Sequence, residues 1–79
     1  MFFLTITKIN EVVFQGLVKS VSCPGSEGDL VILPNHIPLI TPLKKGVLIV
    51  RLEDEDKELE FEIEKGLLEV SKSEVVILL

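Results

Sequence analysis

"GVLIVRLEDEDKELEFEIEKG", residues 46 to 66, decides the fold. In its second half Leu59, Phe61 and Ile63 alternate with Glu58, Glu60, Glu62 and Glu64. A period of two puts the apolar side chains on one face of a strand and the carboxylates on the other. Ahead of it Val47 to Leu52 runs outward, the acidic Glu53–Lys57 turns, and Glu58 to Ile63 returns. This is the pattern of a β-hairpin with one wet face. The glutamate row reads as a solvated face that discourages edge pairing, because like charges repel along a strand and no His or Asp completes a metal site.

The same period extends in both directions. Gly66 breaks the pattern, "GLLEV" resumes it, "SKS" turns, and the nearly continuous apolar "EVVILL" suggests a final strand buried on both faces. Toward the start, "FFLTIT" and "EVVFQG" are separated by Lys8-Ile9-Asn10. "LVKSVSC" then follows Gly16, with Val18 and Val21 keeping the alternation less cleanly. No window has helical spacing with caps at both ends. Short strands with frequent turn signals indicate one all-β domain over residues 1–79, a sandwich or a barrel.

Composition narrows the function classes. The 79 residues suffice for one core, and 47% hydrophobic content excludes disorder. The lone Cys23 forms no internal disulfide, so it reads as a small buried hydrophobe in a reducing compartment. A net charge of −5 without a Lys/Arg cluster argues against nucleic acid. Met1–Leu4 is too short for a signal sequence, and no run approaches the roughly 20 apolar residues of a membrane span. These features predict a soluble, cytosolic chain.

"PGSEGDLVILPNHIPLITPL", Pro24 to Leu43, concentrates all four prolines and the only histidine. Pro24 is expected to end a strand, with Gly25 and Gly28 supplying positive φ for a loop around Ser26 and Glu27. "LVIL" reads as a short buried strand stopped by Pro34, and Asn35-His36 as an exposed turn. Pro38 then makes "HIPLITPL" an extended edge segment whose prolines guard its open side. Ile37, Leu39 and Ile40 stay apolar along it, as at a docking site. Ser26, Asp29 and His36 lack a nucleophile elbow, a single His is a poor zinc site, and no Lys or helix completes a phosphate loop. Neither catalysis nor a cofactor is expected, and interaction remains.

On these residues the chain resembles the amino-terminal domain of the epsilon subunit of F-type ATP synthases. The resemblance rests on Phe14 and Gly16; on Pro24, Gly25, Glu27, Gly28, Asp29 and Leu30; on Ile32, Leu33, Pro34, His36, Pro38 and Leu39; on Leu43, Lys44 and Gly46; and on "GLLEV" at Gly66–Val70. It implies a flattened β-sandwich of short, mostly antiparallel strands. It further implies a noncatalytic rotor subunit on the cytoplasmic side of a bacterial inner membrane, coupling proton or sodium flow to ATP synthesis. Glu27, Gly28 and Asp29 would face the c-ring loops, and His36, Ile37, Pro38, Leu39, Ile40 and Thr41 the gamma subunit. Val31 and Lys65 stand where the family often has Gly. The family's carboxy-terminal helical hairpin does not follow Leu79, so neither ATP binding nor inhibition is expected. The alternative is a free-standing interaction or small-ligand domain on the same fold.

Overall fold

The computed structural model describes residues 1–53 and 57–79. It contains eight strands: β1 (Phe2–Lys8), β2 (Glu11–Gly25), β3 (Gly28–Ile32), β4 (Leu39–Leu43), β5 (Gly46–Leu52), β6 (Glu58–Ile63), β7 (Gly66–Val70) and β8 (Glu74–Leu78). β2 is the axis of the arrangement. Val18 has Phe2 of β1 on one side and Leu52 of β5 on the other, while Val21 lies between Ile32 of β3 and Val50 of β5. β1 and β3 therefore lie end to end along one edge of β2, and β5 runs along the other. One layer is β4-β7-β8-β1-β2, the second is β3-β2-β5-β6, and β2 belongs to both. A single pairing, Gly25 with Leu43, joins β2 to β4 and closes the circuit. Every pairing is antiparallel except β1 with β8.

The core lies where the inward faces meet. Leu4, Ile6, Leu68, Val70, Val75 and Ile77 from the first layer join Val21, Ile32, Leu48, Val50 and Ile63 from the second in one buried cluster. Cys23 belongs to it, 2% exposed, and burial pushes its thiol up to about 12. That agrees with the reading of a small core hydrophobe.

The hairpin that decided the fold is present. β5 and β6 pair from Gly46 with Ile63 to Arg51 with Glu58, and the Leu52 N–H donates to the Lys57 carbonyl at 3.1 Å. Part of the expected turn, residues 54–56, lies outside the described residues. Glu58, Glu60 and Glu62 are exposed, Leu59 and Phe61 are half-buried, and Ile63 is buried. Phe61 meets Phe14 across the layers with ring centroids 6.1 Å apart. Arg51 and Glu58 form an exposed ion pair at 2.8 Å, a contact that contributes little to stability.

Three expectations about the strands are corrected. "EVVFQG" and "LVKSVSC" belong to one 15-residue strand, and its register shifts opposite Ile6/Thr7 and between Val18 and Ser20. An extra residue on one strand inverts the in/out parity, which is how Val18 and Val21 are both buried three positions apart. "LVIL" is not buried throughout: Leu30 is half-buried, Val31 exposed, Ile32 buried and Leu33 exposed, because only one side of this edge strand meets the core. "EVVILL" likewise alternates, with Val75 and Ile77 inside and Leu78 outside.

Candidate functional site

The residues expected to face the c-ring form the tip of a tight hairpin. β2 and β3 pair down to Gly25 with Gly28, leaving Ser26 and Glu27 as the turn. Glu27, Gly28 and Asp29 are all exposed. Gly28 has φ +136°, a region that L side chains rarely adopt, as expected. Gly25 does not have positive φ. Its need is steric, because a Cβ there would lie 2.5 Å from the Gly28 carbonyl oxygen.

Pro24 does not end its strand either. It pairs with Asp29, and its carbonyl accepts the Lys44 N–H at 2.8 Å. A residue's N–H and C=O point to the same side of an antiparallel strand, so the missing donor faces the β4–β5 connection and removes nothing from the β2–β3 ladder.

The residues expected to face gamma begin in a turn. The His36 N–H donates to the Leu33 carbonyl at 3.2 Å, and Asn35 has φ +66°. Pro at the second position and Asn with positive φ at the third are the residue choice of a type II turn. His36 is half-buried, and its Nδ1–H donates to the Ile37 carbonyl at 2.7 Å, which fixes the ring against the chain. Ile37 is 74% exposed and Ile40 65% exposed, with Pro38 exposed and Leu39 and Thr41 half-buried.

β4 connects the two surfaces. Its Leu39 end follows the His36 turn, and its Leu43 end is paired to Gly25 beneath the acidic tip. Four strand steps separate these ends, about 13 Å at 3.3 Å per residue. The tip is fastened there by the Ser26 N–H, which donates to the Pro42 carbonyl at 3.1 Å.

β4 pairs with β7 along its whole length, from Leu39 with Val70 to Leu43 with Gly66. Its other edge meets β2 only at Leu43. The Pro42 carbonyl points to that open side, and by strand alternation the backbones of Ile40 and Pro38 do so too. Two of these three residues lack an N–H, so an incoming strand finds little to pair with. The expectation that prolines guard an edge segment is met, and what this edge offers outward is side chains.

The sequence reading missed what lies beside this edge. The β7–β8 turn, closed by the Ser71 N–H and Oγ both donating to the Glu74 carbonyl at 2.9 Å, stands next to β4. Lys72 at its tip lines two depressions, one with Ile40 and one with His36. "SKS" carried only a turn signal, and a strand pairing between segments thirty residues apart has no local signature. Among the described residues no group of three His, Cys, Asp or Glu is placed to hold a metal ion.

The domain is all-β, and its distinguishing surfaces are a carboxylate-tipped hairpin and a proline-closed apolar edge. The chain belongs to the ATP synthase delta/epsilon chain family, whose β-sandwich domain matches residues 1–79. It is similar to a chain of the Euglena gracilis mitochondrial ATP synthase, in a structure of OSCP, F1 and the c-ring, with a TM-score of 0.89 and 26% identity. The likeness covers 98% of this chain and 49% of that one. A chain in the Tetrahymena thermophila mitochondrial ATP synthase central stalk and c-ring shares the fold, with a TM-score of 0.80 at 19% identity, over 98% of this chain and 61% of that one. This chain thus spans about half to three-fifths of the length of these relatives.

Proposed function

We propose that the chain is a noncatalytic central-stalk subunit of an F-type ATP synthase, docking on gamma through His36–Thr41 and on the c-ring loops through Glu27–Asp29. In this role it couples proton or sodium flow to ATP synthesis by stiffness, with no chemistry of its own. The observation that carries the reading is β4, one short strand that ties the apolar turn to the acidic tip. A partner at either end loads the same element, and the ladder to β7 resists its displacement. Family membership and the stalk and c-ring contents of the similar structures support it. The place is peripheral on a membrane-bound complex. A bacterial inner membrane stays part of the proposal, both solved relatives being mitochondrial.

Titration of an epsilon-free, gamma-containing catalytic complex with the chain tests the first contact. Alanine at His36, Leu39 and Ile40 is expected to weaken binding by about 1 to 3 kcal/mol at the worst position. Asp29→Ala is expected to leave the melting curve unchanged and to weaken attachment to the membrane sector, with the difference largest at low salt. Unchanged gamma affinity across the whole series would move that interface elsewhere.

A further inference from the structure

Among the described residues β6 pairs only with β5, so its far side ends the second layer as an open edge. The Leu52 N–H bond to Lys57 sets the alternation of the hairpin: the backbones of Leu59, Phe61 and Ile63 face β5, and those of Glu58, Glu60 and Glu62 face outward. Each of these three keeps its N–H, in contrast to the prolines on β4, and the register with β5 runs from Gly46 to Arg51 without a shift. The edge is a ready template for one more strand.

Its two faces set what that strand must carry. On the core side Leu59 and Phe61 pack against the buried cluster yet stay half-buried, so an apolar flank reaches the edge. On the outer side Glu58 is paired with Arg51, while Glu60 and Glu62 stand opposite Ile49 and Val47 and form no ion pair among the described residues. Residues 51–65 hold eight carboxylates against three cations, which is the whole net charge of −5. Lys19, where the register shifts beside Leu52 and Arg51, and Lys45, which lines a hollow with Glu62 and Glu64, come to the two ends of the hairpin and still leave an excess of three carboxylates. Two copies of β6 set edge to edge would place glutamate beside glutamate, so the row disfavours self-pairing and acidic strands and favours a basic one. We propose that β6 takes up an extended segment of another polypeptide in which lysine or arginine alternates with apolar residues, the cations lying beside Glu60 and Glu62 and the apolar side chains over Leu59 and Phe61. β4 belongs to the first layer and the Glu27 tip to the opposite edge of the second, so this surface holds or falls independently of the docking reading above.

The probe is a synthetic peptide of about eight residues alternating valine with lysine, long enough to span β6, and the readout is amide exchange in the whole chain. The peptide is expected to slow exchange at Glu60 and Glu62, to leave Val31 on β3 unchanged, and to bind more weakly as salt rises. Glu60→Pro removes the central outward N–H without touching the bonds to β5, and is expected to weaken binding about tenfold. Glu60→Gln combined with Glu62→Gln keeps the backbone edge and is expected to weaken binding by a similar factor while flattening the salt dependence. Equal binding by a peptide of the same composition with its valines and lysines in separate blocks would overturn the proposal, as would equal slowing at Val31. Slowing at Glu60 and Glu62 when the chain alone is concentrated would make a second copy the occupant, and the proposal would fall. It falls as well if the alternating peptide slows neither amide.

Discussion

Gly25→Val is expected to destabilise the domain by about 3 kcal/mol, at the upper end of what overpacking costs. The first atom of the new side chain would lie 2.5 Å from the Gly28 carbonyl oxygen and 3.3 Å from Leu30 Cδ1. The nearer atom is backbone on the opposite arm of a two-residue turn, so it cannot rotate away. The only relief is to open the hairpin, and that also breaks the pairing with Leu43 that joins β2 to β4. A domain of this size has about 4 to 12 kcal/mol in total, so the loss is a large share. Gly28→Ala separates steric from conformational cause. Nothing lies within 4 Å of a Cβ at Gly28, and only its φ of +136° opposes a side chain, a strain of about 1 to 3 kcal/mol. Urea unfolding of the two variants measures both, and a parental midpoint for Gly25→Val would contradict the crowded turn.

Leu68→Ala is expected to cost about 2 to 5 kcal/mol, the range for truncating a fully buried leucine. Leu68 is 0% exposed and sits on β7 between Thr41 of β4 and Ile77 of β8. Strands on both sides hold the backbone in place, so the site has little freedom to collapse and most of the cavity should persist. The effect on docking follows from position. Loosening β7 loosens the ladder along β4, so amide exchange at Leu39 and Thr41, whose backbones face β7, should accelerate more than at Leu48, which lies in the other layer. Uniform acceleration at all three would show that the layers unfold as one unit.

Much of this architecture was legible locally. The β5–β6 hairpin is written in strict alternation, and the guarded edge in the spacing of Pro38 and Pro42. What the sequence obscured has three causes. The register shifts in β2 change parity without any special residue, so a 15-residue strand reads as two pieces. Pro24 was read as a stop because its missing N–H counts only if it faces a ladder, and only the fold shows which way it faces. Val31 and Leu78 were placed inside because a continuous apolar run does not show that only one face of its strand meets the core. The tip at Glu27–Asp29 and the turn at His36 were legible as turns, and the contacts proposed for them come from the resemblance. The place of the β7–β8 turn beside β4 was not legible, since it comes from a pairing between distant segments.

The central claim is that one strand carries two partners at its two ends, and site-directed cross-linking in the assembled enzyme tests it most directly. Cys23 does not interfere, being 2% exposed with its thiol pushed up to about 12, so it stays protonated and shielded at neutral pH. Ile40→Cys and Glu27→Cys would each be labelled with a photoactivatable maleimide, and Glu62→Cys on the β6 face would serve as control. The account predicts a gamma adduct from position 40, a c-subunit adduct from position 27, and neither from position 62. A gamma adduct from position 62 with none from position 40 would contradict it.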